Sequence, residues 1–155
     1  MKLTVVSGGQ TGVDRAALDV AIELGLPTGG WVPKGRLAED GVIAERYTNL
    51  READSADPAV RTVMNVRDSD ATLILSHGPV SGGSRLTLVE ATRLGRPALH
   101  IDLVGRTDDE AVAGIRAWLG DVRPGILNVA GPRASGDPAI GDRATAVLRA
   151  VLGTA

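Results

Sequence analysis

The sequence SGGQTGVDR at Ser7–Arg15 follows directly on a short β-branched run, Leu3–Val6. Three glycines fall within it, at Gly8, Gly9 and Gly12, and an amphipathic helical pattern comes next. Glycines let the main chain turn tightly and approach a ligand, and the N–H groups of a helix N-terminus favour negative charge. The stretch therefore predicts a strand, an anion-binding turn and a helix.

The polar side chains of this turn add hydrogen-bonding capacity to the bare backbone. We predict that the whole turn contacts the ligand through Ser7, Gly8, Gly9, Gln10, Thr11 and Gly12. The alternative is a tight turn between strand and helix whose glycines serve only close packing.

The alternation of strand and helix continues along the chain. Short apolar runs predict strands at Leu3–Val6, Pro27–Val32, Ala71–Ser76, Ala98–Asp102 and Leu127–Ala130. Apolar residues at helical spacing predict helices at Gly12–Leu24, about Ala38–Glu45, Pro58–Arg67, Ser84–Leu94, Asp108–Leu119 and Ala139–Leu152. A short extra strand is expected around Tyr47–Leu50. Together they predict an α/β protein: one Rossmann-like domain over 1–155, with a doubly wound parallel sheet and helices on both faces.

The composition narrows the function further. The chain has 155 residues, 43% of them hydrophobic, which suits one domain with an aliphatic core. The net charge of −2 and the near absence of aromatic residues argue against binding a nucleic acid polymer. Cysteine is absent, which excludes disulfides, thiol nucleophiles and cysteine metal sites. The sequence shows neither a signal-peptide pattern nor a membrane span, so we expect a cytoplasmic protein without membrane contact.

Four glycine-bearing loops are predicted at the carboxyl edge of the sheet, where ligands bind in such folds. Besides the first turn they are Pro33–Arg36, Ser76–Arg85 and Ala130–Gly136. Each of these three carries a cation, and Gly82–Ser84 precedes a helix in the manner of the first turn. They add eight predicted contacts to a small phosphorylated ligand: Lys34, Arg36, Gly82, Gly83, Ser84, Arg85, Thr87 and Arg133.

Groups suited to catalysis are scarce. His77 lies just past a predicted strand and can face the ligand, whereas His100 lies inside a predicted strand and is expected to be a buried structural residue. Asp14 is expected to complement the helix dipole or to pair with Arg15. No pair of histidines has the spacing of a metal site, and no metal is predicted. The acidic residue that binds ribose in NAD-binding folds is missing from the region after the second strand.

Six segments carry a resemblance to a known family. They are SGGQTGVDRAALD (Ser7–Asp19), GGWVPKGRLAEDG (Gly29–Gly41), NVRDSDATLIL (Asn65–Leu75), GGSRLT (Gly82–Thr87), GRPALHID (Gly95–Asp102) and LNVAGPRASGDP (Leu127–Pro138). Over nearly its whole length the chain resembles the "putative molybdenum carrier" family, whose members are similar to the molybdenum-cofactor carrier protein of green algae. That family belongs to a Rossmann-like superfamily that includes the Lonely-guy phosphoribohydrolases.

The resemblance implies a phosphorylated ligand at the sheet edge and a homo-oligomer, either a dimer or a tetramer. For a carrier, the implied ligand is the molybdenum cofactor, a pterin with a phosphate tail and an oxyanionic molybdenum group. By motif the implied contacts are in Gly8–Gly12, Lys34, Arg36, Gly82–Ser84 and Thr87.

Two other functions stay open. The first is a phosphoribohydrolase that cleaves the N-glycosidic bond of a nucleoside monophosphate, with Glu90 as its candidate catalytic residue. Phosphoribohydrolases resemble one another in a P-G-G-x-G-T-x-x-E motif, from which Val80–Glu90 departs: it lacks the proline, and Arg85 replaces the third glycine. The second is a ligand sensor or interaction module without turnover.

Overall fold

The computed structural model describes residues 3–153; the two residues at each end of the predicted domain, 1–2 and 154–155, lie outside that range. The described chain forms a central sheet flanked by helices. Its strands are β1 (Thr4–Val6), β2 (Thr28–Val32), β3 (Leu37–Ala38), β4 (Gly41–Val42), β5 (Leu50–Glu52), β6 (Ala71–Ser76), β7 (Ala98–Asp102) and β8 (Ile126–Ala130). Its helices are α1 (Val13–Glu23), α2 (Pro58–Arg67), α3 (Gly82–Arg93), α4 (Asp108–Val122) and α5 (Ile140–Leu152).

Six strands form one parallel sheet in the order β5-β2-β1-β8-β6-β7. The predicted doubly wound α/β fold is therefore confirmed. The chain builds outwards from β1 through β2 to β5, crosses to β6 and β7, and then places β8 in the gap between β1 and β6. The strand order thus reverses around β1, β8 and β6, which is where open α/β sheets form ligand crevices.

The helices form two groups around this sheet. Helix α5 packs against α1 and α4, while α2 packs against α3. Strand β6 shows why its sequence is apolar throughout: Leu73, Ile74 and Leu75 are all fully buried, because both faces of the central sheet are covered. The core is aliphatic, as the composition predicted.

The helix predicted around Ala38–Glu45 is wrong. The structure has instead an antiparallel pair, β3 and β4, in which Leu37 lies opposite Val42. Gly41, inside the predicted range, has a φ of +116°, which a helix cannot contain, and Arg36, just before the range, has a φ of +56°. The expected extra strand exists, but slightly later than predicted, as β5 beside β2.

Strands β1 and β2 separate at their carboxyl ends. Their last paired residues are Val6 and Gly29, after which a side chain takes the place of β1. Asn65 accepts a 2.7 Å hydrogen bond from the Trp31 N–H and donates one of 2.9 Å to the Trp31 carbonyl. This separation leaves room for the chain that follows β1 to turn over the sheet edge.

No helix within residues 3–153 is both long enough and apolar enough to cross a membrane.

Candidate functional site

A cavity of about 730 Å³ lies at the carboxyl ends of β1, β6 and β8. Helices α2 and α3 form its walls, and the turn after β1 and the loop after β8 close its floor and rim. Its volume is in the range of small-molecule and cofactor sites. Of the predicted contacts it brings together Gly8, Gln10, Gly82, Gly83, Ser84, Thr87 and Arg133.

The N-terminus of α3 opens into this cavity. The N–H groups of Ser84 and Arg85 donate to the Ser81 carbonyl, which closes the first turn of the helix. Within residues 3–153 the N–H groups of Gly82 and Gly83 have no acceptor, and both residues line the cavity. Unpaired N–H groups at the positive end of a helix dipole suit an anionic ligand group.

The N-terminus of α1 is covered by the chain itself. The Val13 N–H donates to the Pro132 carbonyl at 3.3 Å, and the Thr11 hydroxyl accepts a 3.0 Å hydrogen bond from the Ala134 N–H. A Cβ atom on Gly12 would lie 2.2 Å from the same Pro132 carbonyl oxygen. Ser7 is fully buried, and its hydroxyl donates to the Asp14 carbonyl at 2.9 Å. In this structure Ser7, Gly9, Thr11 and Gly12 therefore hold the turn together and lie outside the cavity lining.

Arg61 is a cation that the sequence analysis missed. Its side chain lines the cavity although the residue is only 6% exposed. Its Nε donates to the Gly8 carbonyl at 3.3 Å, and its Nη1 donates to the Pro58 carbonyl and the Thr62 hydroxyl. Within the described chain Nη2 has no hydrogen-bond partner, and no carboxylate lies within ion-pair distance of the guanidinium.

Burial lowers the pKa of Arg61, which shows the cost of keeping this charge away from water. Buried charges in proteins are normally paired, because desolvation of an isolated ion is costly. An arginine that is buried, lacks an ion pair and lines a cavity is therefore chemically suited to bind an anion.

Asp14 is the second buried charge of the site. It is 7% exposed, lines the cavity, and its Oδ2 accepts one long hydrogen bond of 3.4 Å from the Gln10 N–H. Burial raises the pKa of this carboxyl to about 6, although the nearby positive charge of Arg61 opposes the increase. The expected pairing with Arg15 is not observed, because the Arg15 guanidinium binds Asp40 and the Gly9 carbonyl.

Two side-chain amides complete the floor. The Oε1 of Gln10 accepts hydrogen bonds from the N–H groups of Thr11 and Glu39, which fixes its orientation. Asn128 lies on the central strand β8, is 3% exposed, and its Nδ2 donates to the Thr72 hydroxyl at 3.4 Å. Within residues 3–153 the Nε2 of Gln10 and the Oδ1 of Asn128 have no partner, so both are available to a ligand.

The rim carries further polar groups. The Nδ1 of His77 lies 2.7 Å from Asp137 Oδ2, and both residues line the cavity together with the exposed Arg133. This contact joins the loop after β6 to the loop after β8. His100, in contrast, lies outside the lining and contacts the Ser76 hydroxyl.

Four further predicted residues lie outside the lining. The Arg36 guanidinium donates to the carbonyls of Ile43, Ala44 and Tyr47, and Lys34 is exposed. Arg85 is exposed, and Glu90 forms a 2.7 Å ion pair with Arg93. Ligand contact by Lys34, Arg36 and Arg85 and catalysis by Glu90 stay predictions. Within the described chain no group of three or more histidine or acidic residues is arranged to hold a metal ion.

A protein-family model and a solved structure both match this chain over nearly its whole length. The model of the "Circularly permutated YpsA SLOG family" matches residues 5–152. The crystal structure of a "Putative molybdenum carrier protein" from Syntrophus aciditrophicus SB matches with a TM-score of 0.94 and 48% sequence identity, over 97% of this chain and 95% of that chain. No curated protein gives a significant match.

Proposed function

Because the chain belongs to the circularly permutated YpsA SLOG family, we propose that it is a carrier that binds a phosphorylated pterin or nucleotide in the cavity described above. The resemblance identified from the motifs is confirmed at the level of the family. The molybdenum cofactor is the cargo we propose first, since the similar protein from Syntrophus is named a "Putative molybdenum carrier protein".

The buried guanidinium of Arg61 is the observation that carries this proposal. It faces a cavity of about 730 Å³ together with the open N-terminus of α3, so two independent positive groups line the same space. A phosphate or a molybdenum oxyanion bound between them would supply the negatively charged partner that the Arg61 guanidinium lacks. Ser84, Thr87 and Arg133 line the same cavity and are proposed as additional contacts; Lys34, Arg36 and Arg85 are proposed to act from outside the lining.

We expect Arg61→Gln to weaken ligand binding at least tenfold, because a hydrogen bond between charged groups contributes about 1.5–3 kcal/mol. Titration calorimetry with the molybdenum cofactor and with nucleoside monophosphates measures the loss. Arg116→Gln is the matched control, since Arg116 is exposed on α4 and lies outside the lining. Equal affinities of Arg61→Gln and the unaltered protein would contradict the assignment.

Gly8→Ala is expected to reproduce part of that loss without removing a charge. A Cβ atom on Gly8 would lie 2.2 Å from Arg61 Nε and 2.8 Å from its Cδ, so the arginine must move out of its position. We expect roughly fivefold weaker binding, because the displaced Arg61 side chain loses part of one charged hydrogen bond to the ligand. Calorimetry on this variant is compared with Gly120→Ala, where an added Cβ meets nothing within 4 Å.

A phosphoribohydrolase acting on nucleoside monophosphates is the second candidate. The contact between His77 and Asp137 in the lining favours it, because a carboxylate that orients a histidine is a common acid–base arrangement. Release of free base from nucleoside monophosphates, abolished by His77→Gln, would support this function. Glu90→Gln tests the residue predicted from the sequence.

We further propose a cytoplasmic homo-oligomer, a dimer or tetramer. Exposed apolar side chains support self-association: Val42 and Leu37 on the β3–β4 pair are 69% and 49% exposed, and Val89 on α3 is 51% exposed. Light scattering after size exclusion measures the mass in solution, and cell fractionation tests the location.

A further inference from the structure

The negatively charged carboxylate of Asp14 is unexpected in a cavity whose buried arginine and helix N-terminus would attract an anion. Its buried carboxylate opposes the positive groups that would hold a phosphate, and no cation within residues 3–153 forms an ion pair with it. Its Oδ1 has no hydrogen-bond partner in the described chain, and Oδ2 has only the long contact with the Gln10 N–H. A carboxylate accepts about four hydrogen bonds, so most of this capacity is unused.

The side-chain amides of Gln10 and Asn128 add one hydrogen-bond donor and one acceptor to the cavity floor beside Asp14. The contacts of Gln10 Oε1 leave the Nε2 donor free, and the contact of Asn128 Nδ2 leaves the Oδ1 acceptor free. An amide on the central strand β8, between two fully buried apolar residues, carries a desolvation cost that a binding role would explain. The floor thus presents one donor, one carboxylate and one further acceptor.

We propose, on the basis of the binding function above, that Asp14 selects ligands whose ring presents a ring N–H beside an exocyclic amino group, the 2-amino-4-oxopyrimidine edge that guanine and pterins share. The two N–H donors of this edge point the same way and match the two oxygens of one carboxylate. The carbonyl next to them accepts from Gln10 Nε2, and Asn128 Oδ1 accepts the remaining amino hydrogen. The phosphate of the same ligand binds at Arg61 and the N-terminus of α3.

The raised pKa of Asp14 agrees with this geometry. Burial raises the pKa of the carboxyl, the single long hydrogen bond from the Gln10 N–H opposes the increase, and two ligand N–H groups would supply further donors. A merely structural Asp14, retained to balance Arg61, would leave the choice between ring systems unaffected. Selectivity is therefore the readout that separates the two roles.

The experiment measures the affinities of matched ligands by calorimetry. Guanosine, inosine and xanthosine monophosphates carry an amino group, hydrogen or a carbonyl at the 2-position of the ring, and xanthosine monophosphate also carries a proton on the adjacent N3. A 6-hydroxymethylpterin phosphate and its lumazine analogue, which has a 2-carbonyl, form the second pair. We expect the amino compounds to bind at least tenfold tighter than their partners, because a site built around a hydrogen bond rejects the analogue that lacks it. The pair with the higher absolute affinity identifies the source of the edge.

Asp14→Asn is the diagnostic variant. Its amide can donate to a 2-carbonyl, so the preference is expected to move from guanosine to xanthosine monophosphate by at least tenfold. Asp121→Asn, at an exposed position on α4, removes the same charge outside the lining and is expected to change nothing. The comparison of ligands on the unaltered protein tests selectivity even where the variant folds poorly.

The possible results distinguish the proposed role of Asp14 from the proposed carrier function. Equal binding of all three purine nucleotides, lost in Arg61→Gln, would overturn the role of Asp14 and leave the proposed carrier function standing. Adenosine monophosphate bound more tightly than guanosine monophosphate would do the same. Absence of binding by every nucleotide and pterin would overturn both.

Discussion

Gly30→Ala is expected to destabilise the folded chain by about 3 kcal/mol or more. Gly30 has a φ of +128°, which residues with a side chain rarely adopt, and a Cβ there would lie 2.2 Å from the Ser7 carbonyl oxygen. The obstacle is backbone that cannot move aside, because it belongs to the turn between β1 and α1. Chemical denaturation, which gives the free energy of unfolding, measures the loss.

Gly41→Ala separates the two causes. Gly41 has a similar φ of +116°, but an added Cβ meets nothing within 4 Å. The free energy of unfolding of Gly41→Ala should therefore fall only by the cost of the unfavourable backbone conformation, about 1–3 kcal/mol. If the two variants lose the same free energy, contact with Ser7 is not what requires glycine in the middle of β2.

Asp14→Asn is expected to stabilise the unliganded protein above pH 6. Burial raises the pKa of the Asp14 carboxyl from its ordinary value of 3.8 to about 6, so the folded state holds the proton more tightly. Stability therefore falls as the pH rises from about 4 to about 6, by a total of about 3 kcal/mol, and the loss persists at higher pH. Asparagine does not titrate and avoids this cost.

Thermal unfolding at a series of pH values provides the measurement. The melting temperature of Asp14→Asn should exceed that of the unaltered protein by roughly 10 °C at pH 7, and the difference should shrink as the pH approaches 4. Using the difference removes the effect of other carboxyls, such as Asp68, whose pKa the Arg67 guanidinium lowers to about 2. A difference that does not vary with pH would show that Asp14 is not buried in its charged form.

A difference that grows with pH as expected would show that the charged form of Asp14 destabilises the free protein. A group that destabilises the free protein and selects the ligand is an expected compromise between stability and function. The expectations for stability and for ring selectivity concern one substitution but are measured independently. Either can therefore fail without the other.

The sheet and most of its helices could be predicted because their signals are local. The fully apolar β6 and the amphipathic α1 and α5 follow directly from periodicity. The segment after β2 could not be predicted this way. Its apolar residues happen to have helical spacing, but Leu37 and Val42 pair across a turn, and left-handed backbone at Arg36 and Gly41 sets the path.

The candidate site was predicted where glycines precede a helix and missed where it depends on packing. Gly82 and Gly83 are visible in the sequence as the start of α3. Arg61 looks like any polar residue of an amphipathic helix, and only the docking of α2 over Gly8 places it in the cavity. Asn128 did carry a signal that was not used: it interrupts the apolar run between Leu127 and Val129, where a strand covered on both faces has no need of an amide.

The position of β8 has a consequence for how the molecule is made. It is the last strand along the described chain, yet it lies between β1 and β6. A nascent chain that has been synthesised only as far as α4 lacks β8 and therefore has two half-sheets with open edges, which can pair with other chains. Pairing across such long sequence separations also slows folding. Residues of β8 and of the loop after it line the cavity, so the cavity is complete only once β8 has joined the two halves.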